Sequence, residues 1–359
     1  MMSHRTAALL LVVGLTLTAC SDGETTDSTT ASTTEVASDD PVTLRIVSHD
    51  SFAGGVTEET FAAFTAQTGV EVEVFPAGDA GSLVNQAILT KGDPVADVLF
   101  GIDDTFLSRA LAEDVFVAHE SPLLADVPDA LELDPEHRVT PIDFGDVCLN
   151  YDKETLADTP PPVSLADLAD PAYAGLTVVE NPATSSPGLA FLLATIAEYG
   201  EDGWQDYWRS LVDNGVKVVS DWDTAYYTEF TRYGGDRPIV VSYASSPPAE
   251  VIFAEEPLDE APTGVVEAGC YRQIEFAGIL VGTDHEAEAK ALIDFMLSPG
   301  FQAQVPLTWF VFPANETVEL PQEFVDHTTI PASPAAIDPD DIDANRERWI
   351  EQWTEIVLP

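Results

Sequence analysis

Alternating strand and helix patterns predict an α/β fold with mainly parallel sheets. Three observations carry this reading: strand–helix–strand order from residue 43, glycines that close the intervening helices, and a second alternating set that begins near Val147. Thr43–Ser48 (TLRIVS) reads as the first strand. Thr57 can cap a helix that carries Phe61 and Phe64 on one face and closes at Gly69. Residues 70–75 (VEVEVF) alternate as a half-buried strand does. Ser82 opens a helix through Leu83, Val84, Ala87 and Ile88, closed by Gly92, and residues 95–100 (VADVLF) form the next strand. In the second set, residues 176–179 read as a strand followed by a helix over 187–199, with further strands at 216–219 and 238–243. Residues 338–357 read as an amphipathic helix whose Trp349 and Trp353, four apart, are packing anchors. The sequence has no internal repeat and no metal-ligand spacing such as Cys-x-x-Cys.

A chain of 359 residues suggests about two domain-sized units. Its 63 acidic residues against 14 basic ones give a formal net charge of −49. That excludes nucleic acid as a partner, because phosphates are captured by Lys and Arg clusters that this chain lacks. Adaptation to a salty habitat accounts for such acidity, and attraction of cationic ligands follows as a by-product. After Arg5, residues 7–19 form an apolar run too short for a bilayer span, which needs about 20 residues, but suited to a signal-peptide core. The run ends in Leu17-Thr18-Ala19-Cys20, which resembles the bacterial lipobox and marks Cys20 for lipidation. The Ser-, Thr- and Asp-rich stretch that follows, residues 21–41, reads as a flexible tether without aromatic or basic residues. The expected location is extracytoplasmic, with a lipid anchor in the cell membrane. In that oxidising compartment the remaining pair, Cys148 and Cys270, suggests a disulfide, against the alternatives of two buried thiols or one reactive one.

Ligands in open α/β sheets bind beyond the carboxyl ends of the strands. Three loops at such ends share a polar, small-residue character: Asp79-Ala80-Gly81-Ser82, Thr184-Ser185-Ser186-Pro187-Gly188 and Ser242-Tyr243-Ala244-Ser245-Ser246-Pro247. Ser followed by Pro is a preferred helix start, and such an end offers free N–H groups to a polar or anionic group. Trp222, Tyr226, Tyr227, Tyr243 and Trp309 lie near these loops, and their faces suit a flat cationic ring. Asp79 and Asp103, at strand ends, can pair with a cation or accept from an exocyclic amine.

The residues now resemble a known family. His49-Asp50-Ser51-Phe52, Ala96-Asp97-Val98, Gly101-Ile102-Asp103, Asn150-Tyr151-Asp152-Lys153 and Thr184-Ser185-Ser186-Pro187-Gly188-Leu189 are similar to the thiamine-binding subunits of bacterial thiamine importers. So are Trp222 with Ala225-Tyr226, Ser242-Tyr243 with Ser245-Ser246-Pro247, Phe295-Met296-Leu297-Ser298-Pro299, Gln302, Trp309 and Trp349. The resemblance runs from about residue 43 to the C-terminus and implies a two-lobed type II periplasmic-binding-protein fold, each lobe a mainly parallel sheet flanked by helices. On this plan residues 1–20 are the lipoprotein signal and 21–41 the linker. Residues 42–146 and 272–318 form one lobe, 147–271 the other, and 319–359 pack back on both. Asp79, Ser185, Trp222, Tyr243 and Trp309 match ligand-contacting positions, with Thr184, Ser186 and Ser246 beside them as donors. His49, Ser82, Asp103 and Tyr226 complete the expected set. His49 stands where some members carry Tyr, and Ala249 where some carry an aromatic.

The resemblance implies a monomeric, non-catalytic capture protein for thiamine, thiamine monophosphate or thiamine diphosphate, with no cofactor or metal. Its partners are a membrane permease and a cytoplasmic ATPase, and it meets the membrane only through its lipid. Two rivals share the fold. A ferric-iron protein would use Tyr226, Tyr227, His49 and a carboxylate. A thiamine-degrading enzyme would need Cys148 as a nucleophile with a depressed pKa.

Overall fold

The computed structural model describes residues 41–156 and 159–358; the expected signal peptide, Cys20 and all of the linker except Pro41 lie outside the described residues. The strand β1 (Thr43–Ser48) buries Leu44 and Ile46 while Arg45 between them is exposed, the alternation of a half-buried strand. It runs directly into α1 (Asp50–Gly55) and then α2 (Ala62–Thr68), which ends on Gly69 at φ 76°, a left-handed cap open to glycine. Thr57 does not cap α2. Its N–H donates to Thr60 Oγ1 at 2.9 Å in a turn, and the helix starts only after Phe61.

β2 (Glu71–Pro76), α3 (Ala80–Leu89), β3 (Val98–Asp103), α4 (Asp104–Ala112) and the short β4 (Phe116–Val117) complete the first half. Ser82 does not open α3: Asp79 is the N-cap, its carboxylate accepting the Ala80 N–H at 3.2 Å. Asp79 stands just before the first turn, where a side-chain oxygen can accept a free N–H; Ser82 is already inside that turn and cannot.

The second half follows the long β5 (Thr140–Asp152). It comprises β6 (Thr177–Glu180), α5 (Ser186–Tyr199), α6 (Trp204–Asp213), β7 (Lys217–Val219), α7 (Trp222–Thr224), β8 (Ile239–Tyr243) and α8 (Pro247–Ile252). The 18-residue β9 (Thr263–Leu280) returns to the first half, followed by α9 (Glu286–Leu297) and β10 (Phe312–Pro313).

All strands belong to one sheet, in the order β2-β1-β3-β9-β5-β8-β6-β7. Each half is a parallel triplet, β2-β1-β3 in one and β8-β6-β7 in the other. Antiparallel β9 and β5 run between them. The two triplets are the cores of two lobes, and β5 and β9 are the strands that cross between them. The sequence pattern did not disclose the full length of either crossing strand. β5 carries Pro141, Gly145 and three aspartates, β9 carries three glycines, and their pairing slips at Pro141/Asp143 and again at Val147/Leu149. Such bulges erase the two-residue alternation.

Cys148 and Cys270 form a disulfide between these two strands, bridging residues 122 apart in sequence. Helix α5 is buried on nearly every side from Ser186 to Ile196, as its apolar sequence requires. The final helix, Pro339–Val357, sets Trp349 and Trp353 into the core: Trp353 meets Trp208 edge-on, and Trp349 Nε1 donates to Glu201 at 2.8 Å. Burying one large apolar side chain contributes roughly 1.5–3 kcal/mol, so these two rings anchor the helix as expected.

Candidate functional site

The carboxyl ends of the parallel strands in both lobes converge on one cleft. β1 delivers His49, β2 Asp79, β3 Asp103, β6 the Thr184–Ser186 loop, β7 Trp222, and β8 Tyr243 with Ser246. A cavity of about 560 Å³ opens in this cleft, within the size range of small-molecule sites.

Six of the expected residues line it: His49, Trp222, Tyr226, Tyr243, Ser246 and Trp309. Trp222 is held by Nε1 donating to Ser242 Oγ at 3.0 Å, and is stacked on Tyr226 with centroids 5.0 Å apart. Tyr226 is itself almost fully buried, with its hydroxyl donating to Glu250 at 2.8 Å. It therefore backs Trp222 and offers the cavity little polar chemistry. Trp309 packs near-parallel to Phe52 (4.7 Å) and Phe301 (5.8 Å), and its Nε1 donates to the Phe52 carbonyl at 3.1 Å. Ser246 Oγ is engaged with Ser242 Oγ at 2.9 Å and accepts the Tyr243 N–H at 3.3 Å.

The other six, Asp79, Ser82, Asp103, Thr184, Ser185 and Ser186, are not on the cavity wall; Asp79 meets Ser185, Asp103 meets Ser186, and Gly81 beside Ser82 bonds to Thr184, along an inner seam between the lobes. Thr184 Oγ1 donates to the Ser220 carbonyl at 2.6 Å within its own lobe. The Asp103 carboxylate caps α4, accepting from Thr105 N, Thr105 Oγ1 and Phe106 N at 2.8, 2.5 and 3.1 Å. The cap accounts for one of its oxygens, and the other has no partner among the described residues. Neither do Ser185 Oγ, Ser186 Oγ and the second oxygen of Asp79, an unusual concentration of orphaned buried polar atoms. Ser185 and Ser186 head α5, but no side chain caps that helix. The acidic residues Asp79 and Asp103 lie close enough to the two hydroxyls to feel them. The start of α5 is thus a polar seat surrounded by acids, and not the purely anion-seeking end that its sequence suggests.

The electrostatics centre on His49. In the neutral ring Nδ1 accepts the Phe52 N–H at 3.2 Å, capping α1, and the proton is on Nε2, facing Glu275 at 3.3 Å. Burial lowers the pKa of the imidazole, but Glu275, Asp79 and Asp223 outweigh it and push it to about 9. A second proton, on Nδ1, would give up the cap and donate to Ser51 Oγ, 3.1 Å away. Gly101 makes room for the ring: at φ +94° it bends β3, and a Cβ there would lie 2.1 Å from the imidazole. Burial raises the Asp79 carboxyl to about 6 against the pull of His49. Burial and then the charge of Glu275 raise Asp143 well above the ordinary carboxylate range.

The acids Asp143, Asp223 and Glu275 also line the cavity, and the sequence reading missed all three. Asp143 and Glu275 lie inside the crossing strands, where no loop or helix start flags them; their one signal is a charged residue in an otherwise buried strand.

Residues 93–345 match the family model of bacterial extracellular solute-binding proteins. The chain is 30% identical over 319 residues to the thiamine-binding periplasmic protein of Escherichia coli (strain K12), covering 88% of this chain and 93% of the relative. It is 30% identical to the protein of the same name from Brucella suis biovar 1, with 87% and 91% covered. Among solved structures it is similar to a periplasmic thiamin binding protein at 27% identity and TM-score 0.78, covering 89% of this chain and 98% of the other. Iron-bound HitA from Pseudomonas aeruginosa shares the fold at 19% identity and TM-score 0.71, with 88% and 99% covered.

Proposed function

The chain belongs to the family of bacterial extracellular solute-binding proteins, and from that premise we propose that it captures thiamine or a thiamine phosphate and hands it to an importer in the membrane. One observation carries the ligand class: a cavity walled by Trp222, Tyr243 and Trp309 and lined by the acids Asp143, Asp223 and Glu275. Aromatic faces and carboxylates together suit a flat cation, through stacking, ring quadrupole and direct charge pairing. The relatives named for thiamine support the same reading. The hydroxyethyl tail is assigned to the seam at the start of α5, where the Ser185 and Ser186 hydroxyls and the Asp79 carboxyl can pair with an alcohol.

The protein works by capture, not catalysis. The lobes close on the ligand through contacts made only in the closed state. The closed monomer docks on a permease driven by an ATPase on the far side of the membrane. Cys20 supplies a lipid anchor outside the cytoplasm, and the signal peptide before it is removed. No helix among the described residues is long and apolar enough to cross a membrane, so attachment through that lipid is consistent with the fold.

Two observations weigh against the rivals. The Tyr226 hydroxyl that iron would need is committed to Glu250, and the Cys148 sulfur that a degradative enzyme would need is bonded to Cys270. Isothermal titration of the purified protein with thiamine, its two phosphates and ferric citrate decides the matter. Saturable binding of a thiamine form is expected. Tight ferric binding with a visible tyrosinate band, and no thiamine uptake, would reject the proposal.

A further inference from the structure

Glu275 occupies a position that sheet physics disfavours. In the register of β9 it lies opposite Asp103 of β3 on one side and opposite Asp143 of β5 on the other. Three carboxylates therefore stand abreast on adjacent strands. Like charges directly opposite destabilise a strand pair, and burial strengthens the repulsion by removing water. Asp103 is fully buried, Asp143 is 4% exposed and the Glu275 side chain 12% exposed.

Local partners relieve only part of this row. Asp103 is used as the cap of α4. Glu275 accepts the Gln273 amide at 2.9 Å and faces His49 Nε2 at 3.3 Å. Gln273 in turn accepts the Tyr243 hydroxyl at 3.2 Å, so Glu275 is connected to an aromatic wall of the other lobe. Asp143 lines the cavity with Oδ1 unpartnered among the described residues. The acids Asp50 and Asp223 line it as well, and among the described residues no Lys or Arg does, which leaves His49 as the one basic group of that wall among them.

We infer that Glu275, with Asp143 beside it, is the charge-selecting residue of the cleft: the pair meets the positive ring of the ligand and discriminates it from neutral molecules of similar outline. The inference rests on the thiamine reading above and adds to it the residue that decides selectivity. A buried row of acids is tolerated in a crossing strand because an entering cation completes it. The position also couples binding to geometry, since β9 spans both lobes and Glu275 touches His49 of one and, through Gln273, Tyr243 of the other.

The test is titration calorimetry with two probes, thiamine and its neutral, flat oxidation product thiochrome, on the wild type, Glu275→Gln and Asp143→Asn. Glu275→Gln keeps an acceptor for Gln273 and removes the charge, together with the second oxygen that faces His49 Nε2. Thiamine affinity in this variant is expected to fall roughly ten- to hundredfold, the range of a hydrogen bond to a charged group, with thiochrome affinity little changed. Its melting temperature is expected to change little, because losing a like-charge neighbour of Asp103 and Asp143 offsets losing the carboxylate that pairs with His49. Asp143→Asn is expected to lower thiamine affinity by less. A thiamine-to-thiochrome ratio that stays at the wild-type value in both folded variants overturns the assignment. So does a wild type that takes thiochrome as tightly as thiamine, a result that needs no variant. A wild type that takes neither overturns the thiamine reading itself and this inference with it.

Discussion

The Gly81 N–H donates to the Thr184 carbonyl at 3.2 Å, tying the first turn of α3 in one lobe to the loop before α5 in the other. The backbones approach so closely that a methyl group on Gly81 would stand 2.5 Å from the Ala183 carbonyl oxygen. This is a closed cleft, latched main chain to main chain beside the residues assigned to the ligand tail.

Gly81→Ala should hold the latch open. Overpacking of this kind costs about 1–3 kcal/mol, and here it falls only on the closed state, because separating the lobes relieves it. Thiamine affinity is expected to drop roughly five- to hundredfold, with an unchanged melting temperature for the ligand-free protein. Small-angle scattering is expected to show a larger radius of gyration in the presence of ligand than the wild type shows. Wild-type affinity in this variant would mean that the latch plays no part in binding.

Trp222→Ala removes the aromatic face that Tyr226 backs and Ser242 orients. A cation over an indole is worth about 0.5–2 kcal/mol, so titration should show affinity reduced about two- to thirtyfold. Trp222→Phe should recover most of it. If phenylalanine fares no better than alanine, the ring contributes something other than its face.

Stability is expected to rise as pH falls from about 9 to about 5. His49, Asp79, Asp143 and Glu180 all have folded pKa values above their ordinary ones. The folded state therefore holds protons that the unfolded state releases. Each such contribution is complete below the ordinary pKa and is lost as pH rises through the folded value, near 6 for Asp79 and near 9 for His49. The groups facing His49 from the packed elements, Asp79, Asp223 and Glu275, reinforce the trend. Asp134, Asp152, Asp167 and Asp221 are lowered, and they reverse the trend only below the ordinary carboxylate range. Scanning calorimetry across this interval checks the sign; a melting temperature that climbs toward alkaline pH contradicts it.

The Cys148–Cys270 bond closes a sequence separation of 122 residues across the crossing strands. In the chain-entropy model a loop of this length is worth on the order of 4–5 kcal/mol, though strain and residual structure commonly reduce it to about 2–4. The double Cys→Ser variant is expected to unfold at lower denaturant concentration by that amount, with thiamine affinity retained, since neither sulfur lines the cavity.

Much of the site was legible because it sits where sequence signals are strongest. Tyr243 and Ser246 were found from a strand end followed by a helix start, and Trp222 as an aromatic near such loops; the structure places all three on the cavity wall. Asp79 and Ser185 were found in the same way, yet they meet at the seam beside it. Tyr226 was read as a ligand contact and does line the cavity, but the commitment of its hydroxyl to Glu250 cannot be seen from residue type. Glu275 and Asp143 went unread, since a carboxylate in mid-strand carries no local marker until two neighbouring strands bring others beside it.

By itself the sequence determined the α/β alternation, most strand positions, the polar loops at the strand ends and the acidic balance, all of which depend on neighbours a few residues away. Only the tertiary structure decided that β5 and β9 run unbroken between the lobes, that Gly81 meets Thr184, and that three acids align across adjacent strands. Those are pairings between residues far apart in the chain. Their register is set by packing and bulges, and local composition carries no record of it.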